Sequence, residues 1–168
     1  MSSASGLSAD HRSMARQRAV NAALLGYRNR EQIHYTQGAR RWDGINDTDK
    51  ASMGQYPRYA DCSSFATWCL WNGLFVAFGC RDVVNGAAWK AGYTGTMLRH
   101  GKQVVHLSNV LGADCVLYGR AGSDGAHTAI VVAVTKGVPQ VVSHGSEGGP
   151  YLVPFNYRSD VMCFRRYI

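Results

Sequence analysis

The sequence predicts an α+β fold, and three observations carry that reading. Apolar residues recur at helical spacing through the first half of the chain, valine-rich runs fill the second half, and the two kinds of pattern do not alternate. Helices first and hairpin-connected strands afterwards give an antiparallel sheet with helices packed against it.

Residues 1–7 are rich in Ser, Ala and Gly and are expected to form a disordered leader, leaving 8–168 as one domain. From Ser8 to about Gln32 the chain reads as helix. Ser8 or Asp10 supplies the cap, and Met14, Ala15, Ala19, Ala22, Ala23 and Leu25 form a stripe opposite Arg12, Arg16, Arg18 and Arg28. Gly26 is expected to break this helix in two. Residues 36–60, with Gly38, Gly44, Asn46, Asp47, Gly54 and Pro57, read as a long surface connection.

A second helix opens at Cys62 behind a capping Asp61 and runs to about Leu74, with Phe65, Trp68, Cys69 and Trp71 or Asn72 in helical period and Gly73 and Gly79 at its exit. Residues 80–112 predict a short helix over 83–91 followed by a glycine-punctuated loop. Strands follow at 115–118, 127–135, 140–144 and 160–167, the middle two joined by a hairpin at Lys136-Gly137-Val138-Pro139.

Composition narrows the classes. A chain of 168 residues buries about 70% of its unfolded surface and needs no staple. Five cysteines cannot all pair and show no C-x-x-C spacing. Cys69, Cys80, Cys115 and Cys163 sit in apolar runs as small buried hydrophobes, as in a reducing compartment. No pair of Cys or His residues has zinc-ligand spacing, so neither a metal nor a cofactor is expected. A net charge of +7 points to an anionic partner such as nucleic acid, an acidic bilayer or an anionic cell wall. The basic residues do not cluster with an aromatic platform, which argues against nucleic acid. No run approaches the length of a membrane span, and the opening residues do not read as a signal peptide, so no stable membrane association is expected.

The chemistry-bearing residues lie in three places. Cys62 follows a helix-capping aspartate, where unpaired N–H groups and the helix dipole favour a thiolate. His127 opens a valine-rich strand, and His144 closes the next one. A cysteine on a helix tip facing histidines on a sheet is the layout of a cysteine hydrolase.

Asp61-Cys62-Ser63-Ser64-Phe65, Gly112-Ala113-Asp114-Cys115-Val116-Leu117 and His127-Thr128-Ala129-Ile130-Val131-Val132, in that order, resemble the nucleophile, Gly-Asp and histidine segments of the NlpC-type, papain-like cysteine peptidases of peptidoglycan. Ser64 stands where that family usually has glycine, and Thr128-Ala129 replaces Val-Gly. The resemblance implies a papain-like fold in which Cys62 attacks a peptide-stem amide, His127 moves the proton, and His144 or Glu147 orients the His127 ring. By the same resemblance Asp61, Ser63 and Tyr35 contact the free amine and carboxylate of the stem. It further implies a monomeric phage endolysin, held in the host cytoplasm and released to bacterial peptidoglycan through a holin lesion. A CHAP-like amidase or cross-bridge endopeptidase and a non-catalytic wall-binding module are the alternatives.

Overall fold

The computed structural model describes residues 6–45, 50–74, 82–146 and 148–168. Asn46, Asp47, Gly79, Cys80, Glu147 and the first five residues of the expected leader lie outside them.

Helix α1 spans Ala9–Arg28, with the Ser8 hydroxyl accepting the His11 N–H at 3.2 Å. Leu7, assigned to the leader by composition, packs half-buried on the core. Gly26 does not break the helix. It lies inside α1, where a Cβ would collide with the Phe65 ring, so the missing side chain is what lets the two helices approach. Helix α2 is Cys62–Gly73, and every one of its residues is buried. It is wrapped by α1 and by the sheet, which explains its apolar character on all sides.

Strands β1 (His34–Tyr35) and β2 (Tyr59–Ala60) form a short parallel pair that sets Tyr35 beside Ala60. The connection between them contains 3-10 turns at Ala39–Trp42 and Ala51–Met53. Over 83–91 the expected helix is a 3-10 stretch, Gly86–Ala91, and the expected loop after it contains helix α3, Thr94–Arg99.

The remaining strands are β3 (Lys102–Val104), β4 (Cys115–Tyr118), β5 (His127–Thr135), β6 (Val138–Gly145), β7 (Gly148–Pro154) and β8 (Val161–Arg166). They form one antiparallel sheet in the order β3-β8-β4-β5-β6-β7. Both faces are packed. Cys115, Leu117, Ile130 and Val142 meet the helices, while Val116, Tyr118, Ala129, Val131, Val141 and Phe164 form a second cluster on the far face. Alternate residues thus serve different cores, so a strand's phase decides which chemistry each side chain joins.

Candidate active site

Cys62 owes its position to local capping chemistry. Oδ1 of Asp61 accepts the Ser64 N–H at 2.7 Å, and the Ser64 hydroxyl accepts the Asp61 N–H at 2.9 Å. This reciprocal box ties off the start of α2 and leaves Cys62 as its first residue. The thiol is 7% exposed. Burial pushes it up to about 12 and the Asp61 charge adds to the rise, while backbone N–H groups of Thr128, Ser63 and Cys62 pull the other way without reversing it. Desolvation beside an anion thus works against the thiolate expected from the helix tip.

The Thr128 N–H at the sulfur puts Cys62 against the start of β5, one residue from His127. His127 is itself buried, and its Nε2 lies 2.7 Å from Ser143 Oγ. Ser143 Oγ continues to the Tyr157 hydroxyl at 2.8 Å. The His127 ring also packs on Tyr118, whose hydroxyl donates to the Phe155 carbonyl at 2.7 Å. A chain of polar groups thus runs from the imidazole into the far-face core.

His144 lies on the opposite face of β6 from Ser143. Its ring packs between Tyr35, at 5.4 Å between centroids, and Phe65, at 5.8 Å, on the helix-facing side of β6. The cause is a one-residue bulge. Next to the turn, Thr135 pairs with Val138, Val134 with Pro139 and Ala133 with Gln140; beyond Val132, Val131 pairs with Val141 and Ala129 with Ser143. An unbroken register would have set Ala129 opposite His144 and put that histidine on the His127 face. The extra Val132 shifts the phase by one, and Ser143 takes the place instead.

Asp61, Ser63 and Tyr35, the expected substrate contacts, have protein partners. Ser63 Oγ donates to Asp61 Oδ1 at 3.0 Å. Nη1 of Arg41 donates to Asp61 Oδ2 at 2.8 Å and to Ser63 Oγ at 3.3 Å, and its Nη2 donates to the Gly92 carbonyl at 2.7 Å. The Tyr35 hydroxyl accepts from Gln37 Nε2 at 3.0 Å. From Tyr35 a groove of about 410 Å³ extends past His34, Arg30 and Glu31 to Tyr151. Tyr35 pairs with Ala60, two residues before Cys62, but neither Cys62 nor His127 is among the residues that line this groove.

Sequence reasoning missed Arg41, Ser143 and Tyr157. Arg41 sits in a 3-10 turn 20 residues before Asp61, with no local pattern linking them. Ser143 adjoins His144 and needed only the correct strand phase. Among the described residues, no three or more His, Cys, Asp or Glu side chains gather in a way that could hold a metal ion.

No family profile of known proteins matches this sequence, and no curated protein sequence does. Solved structures do match. NlpC1 from Trichomonas vaginalis aligns at a TM-score of 0.55 and 17% identity over 90% of this chain and 44% of its own. NlpC2 from the same organism aligns at 0.55 and 16%, over 92% of this chain and 48% of its own. The chain spans less than half the length of either structure. What these likenesses establish is the fold, an α+β arrangement of the papain-like NlpC type.

Proposed function

We propose that this chain is a cysteine endopeptidase that opens an amide in the peptide stem of bacterial peptidoglycan, with Cys62 as nucleophile and His127 as its proton carrier. The observation that carries the reading is the His127–Ser143–Tyr157 chain, anchored one residue from the Thr128 N–H that meets the Cys62 sulfur.

With Nε2 committed to Ser143, proton exchange with the thiol falls to Nδ1. His127 withdraws the thiol proton as the sulfur attacks the carbonyl carbon. The Sγ–C bond forms, the carbonyl electrons move to oxygen, and the Cys62 backbone N–H stabilises the oxyanion, a contribution of about 3 kcal/mol in comparable hydrolases. On collapse the C–N bond breaks and the leaving amine takes the proton from imidazolium. Water then attacks the thioester, His127 accepts its proton, and the thiol is restored. Ser143 and Tyr157 hold the ring through this cycle, the role first assigned to His144.

The NlpC-type fold and the basic charge support peptidoglycan as substrate, since a cationic surface gathers on an anionic wall. We infer the γ-D-glutamyl-diaminopimelate bond as the one cut, and phage-induced lysis, with release from the host cytoplasm through a holin lesion, as the setting. Digestion of purified walls tests this. The wild type should clear a suspension and generate new diaminopimelate amino termini by mass spectrometry, while Cys62→Ala and His127→Ala should each lose at least about a thousandfold in rate. Equal clearing by all three proteins contradicts the peptidase reading, and free lactyl groups would mark an amidase.

A further inference from the structure

We propose that the cavity at the C-terminal end of α2 is an anion site, separate from the catalytic residues, that takes a phosphate ester of a small polyol between Arg18 and Arg28.

The cavity measures about 250 Å³, and its walls include Arg18, Asn21, Leu25 and Arg28 of α1, Ser52 of the turn before β2, and Asn72 of α2. Spacings of three and four residues put the four α1 side chains on one face of that helix. Asn72 is a fixed part of the wall. It is 7% exposed, its Oδ1 accepts the Ala51 N–H at 2.9 Å, and its Nδ2 donates to the Trp68 carbonyl at 2.9 Å. These bonds tie the Ala51–Met53 turn to α2 and so hold Ser52 at the cavity. Cys62 opens α2 and Asn72 stands ten residues further on, roughly 15 Å along the axis, which places the cavity well away from the nucleophile.

The two arginines differ from most others in this molecule. Arg40, Arg41, Arg99, Arg158 and Arg166 each meet a carboxylate within 3.0 Å. Among the described residues Arg18 and Arg28 have neither an ion pair nor a hydrogen bond, and no Asp or Glu side chain lines their cavity. Two guanidinium groups of like sign thus share one cavity, and an anion between them relieves their repulsion. The remaining polar groups suit the same ligand. Asn21 Oδ1 accepts from Gln17 Nε2 at 3.0 Å, which leaves the Asn21 Nδ2 hydrogens to donate, and the Ser52 hydroxyl can donate as well. Guanidinium forks match phosphate oxygens in pairs, while Leu25 and Ala51 offer an apolar patch to a carbon skeleton, so the chemistry favours an ester over bare phosphate.

The probe is sn-glycerol 3-phosphate, titrated into isotope-labelled protein at physiological ionic strength and followed by nuclear magnetic resonance. Binding should saturate at one site and move the amide signals of Leu25, Ala51 and Ser52. Arg18→Gln and Arg28→Gln should each weaken it at least about tenfold. A control that carries Arg58→Gln and Arg120→Gln lowers the net charge by the same kind of change outside the cavity, and its affinity should stay within about twofold of wild type. Displacement of the bound ester by soluble poly(glycerol phosphate) assigns it to a wall polymer, and displacement by phosphatidylglycerol vesicles assigns it to a lipid headgroup. Succinate bound as tightly as the ester overturns the phosphate assignment. Shifts that never saturate, or an equal loss of affinity in the control, overturn the site itself. Because the readout is binding, the result stands apart from that of the peptidase assay.

Discussion

The tip of α2 and the far end of the β5–β6 hairpin each deliver one half of the candidate site, and they do so by different physics. At the helix tip everything is local: Asp61 and Ser64 are three residues apart and cap each other, so Cys62 is first in the helix whatever the rest of the chain does. At the hairpin the outcome depends on whether Val132 is bulged out of the ladder or paired within it, which decides whether Ser143 or His144 shares a face with His127. A capped helix start is robust to distant change. A strand partner chosen by phase is not, and the same sequence with an unbroken register would have a different third residue.

That contrast can be broken at either end. The largest stability effect is expected for Asp61→Ala, which removes the cap and leaves Arg41 as a mostly buried cation without its carboxylate; chemical denaturation should show a loss of about 3 kcal/mol. At the hairpin, deleting Val132 should straighten the ladder while leaving Val131 opposite Val141 and Ala129 opposite Ser143, so Ser143 stays on the His127 face. Turnover should then stay within about threefold of wild type while near-UV circular dichroism shows a packed protein, and a loss on the order of a hundredfold would mean that the Ala129–Ser143 pairing does not by itself set the partner. Tyr157→Phe removes only the outer hydrogen bond of the chain and should lower kcat about tenfold with KM unchanged.

The smallest effect concerns pH. Because burial first, and the Asp61 charge second, raise the Cys62 thiol toward 12, the folded protein holds that proton where the unfolded chain releases it. This contribution to stability is complete below the ordinary cysteine range of about 8.5 and is lost as pH rises above it toward 12. Denaturation at a series of alkaline pH values should therefore show a shallower loss for Cys62→Ala than for wild type, although the buried Cys69 and Cys115 thiols, also raised by burial, keep some slope in both.

Features written in short-range chemistry were legible in the sequence: the α2 start, the valine-rich β5, and the turn at Lys136-Gly137, where both residues adopt positive φ (51° and 79°). Those that depend on distant partners were not. Gly148–Pro154 carries no alternating pattern and is not among the expected strands, yet it forms β7, and its place at the sheet edge is what tolerates two glycines and two prolines. The β1–β2 pair is two residues long and carries no periodic signal. The Thr94–Arg99 helix is a single six-residue element containing Gly95, too short to show a stripe. At the site, Cys62 and His127 could be read from their surroundings. Ser143 was hidden by a bulge, and Arg41 by a contact that only the folded chain makes.

The most direct measurement sets Ser143→Ala beside His144→Ala and compares kcat for stem-peptide cleavage at matched folded fraction. If the hydroxyl at His127 Nε2 orients the base, Ser143→Ala falls by on the order of a hundredfold, while His144→Ala stays near wild type in kcat and shows its cost only as lost stability of about 1–3 kcal/mol from the emptied space between Tyr35 and Phe65. The reverse pattern, with activity lost on removing His144 and kept on removing Ser143, contradicts the account.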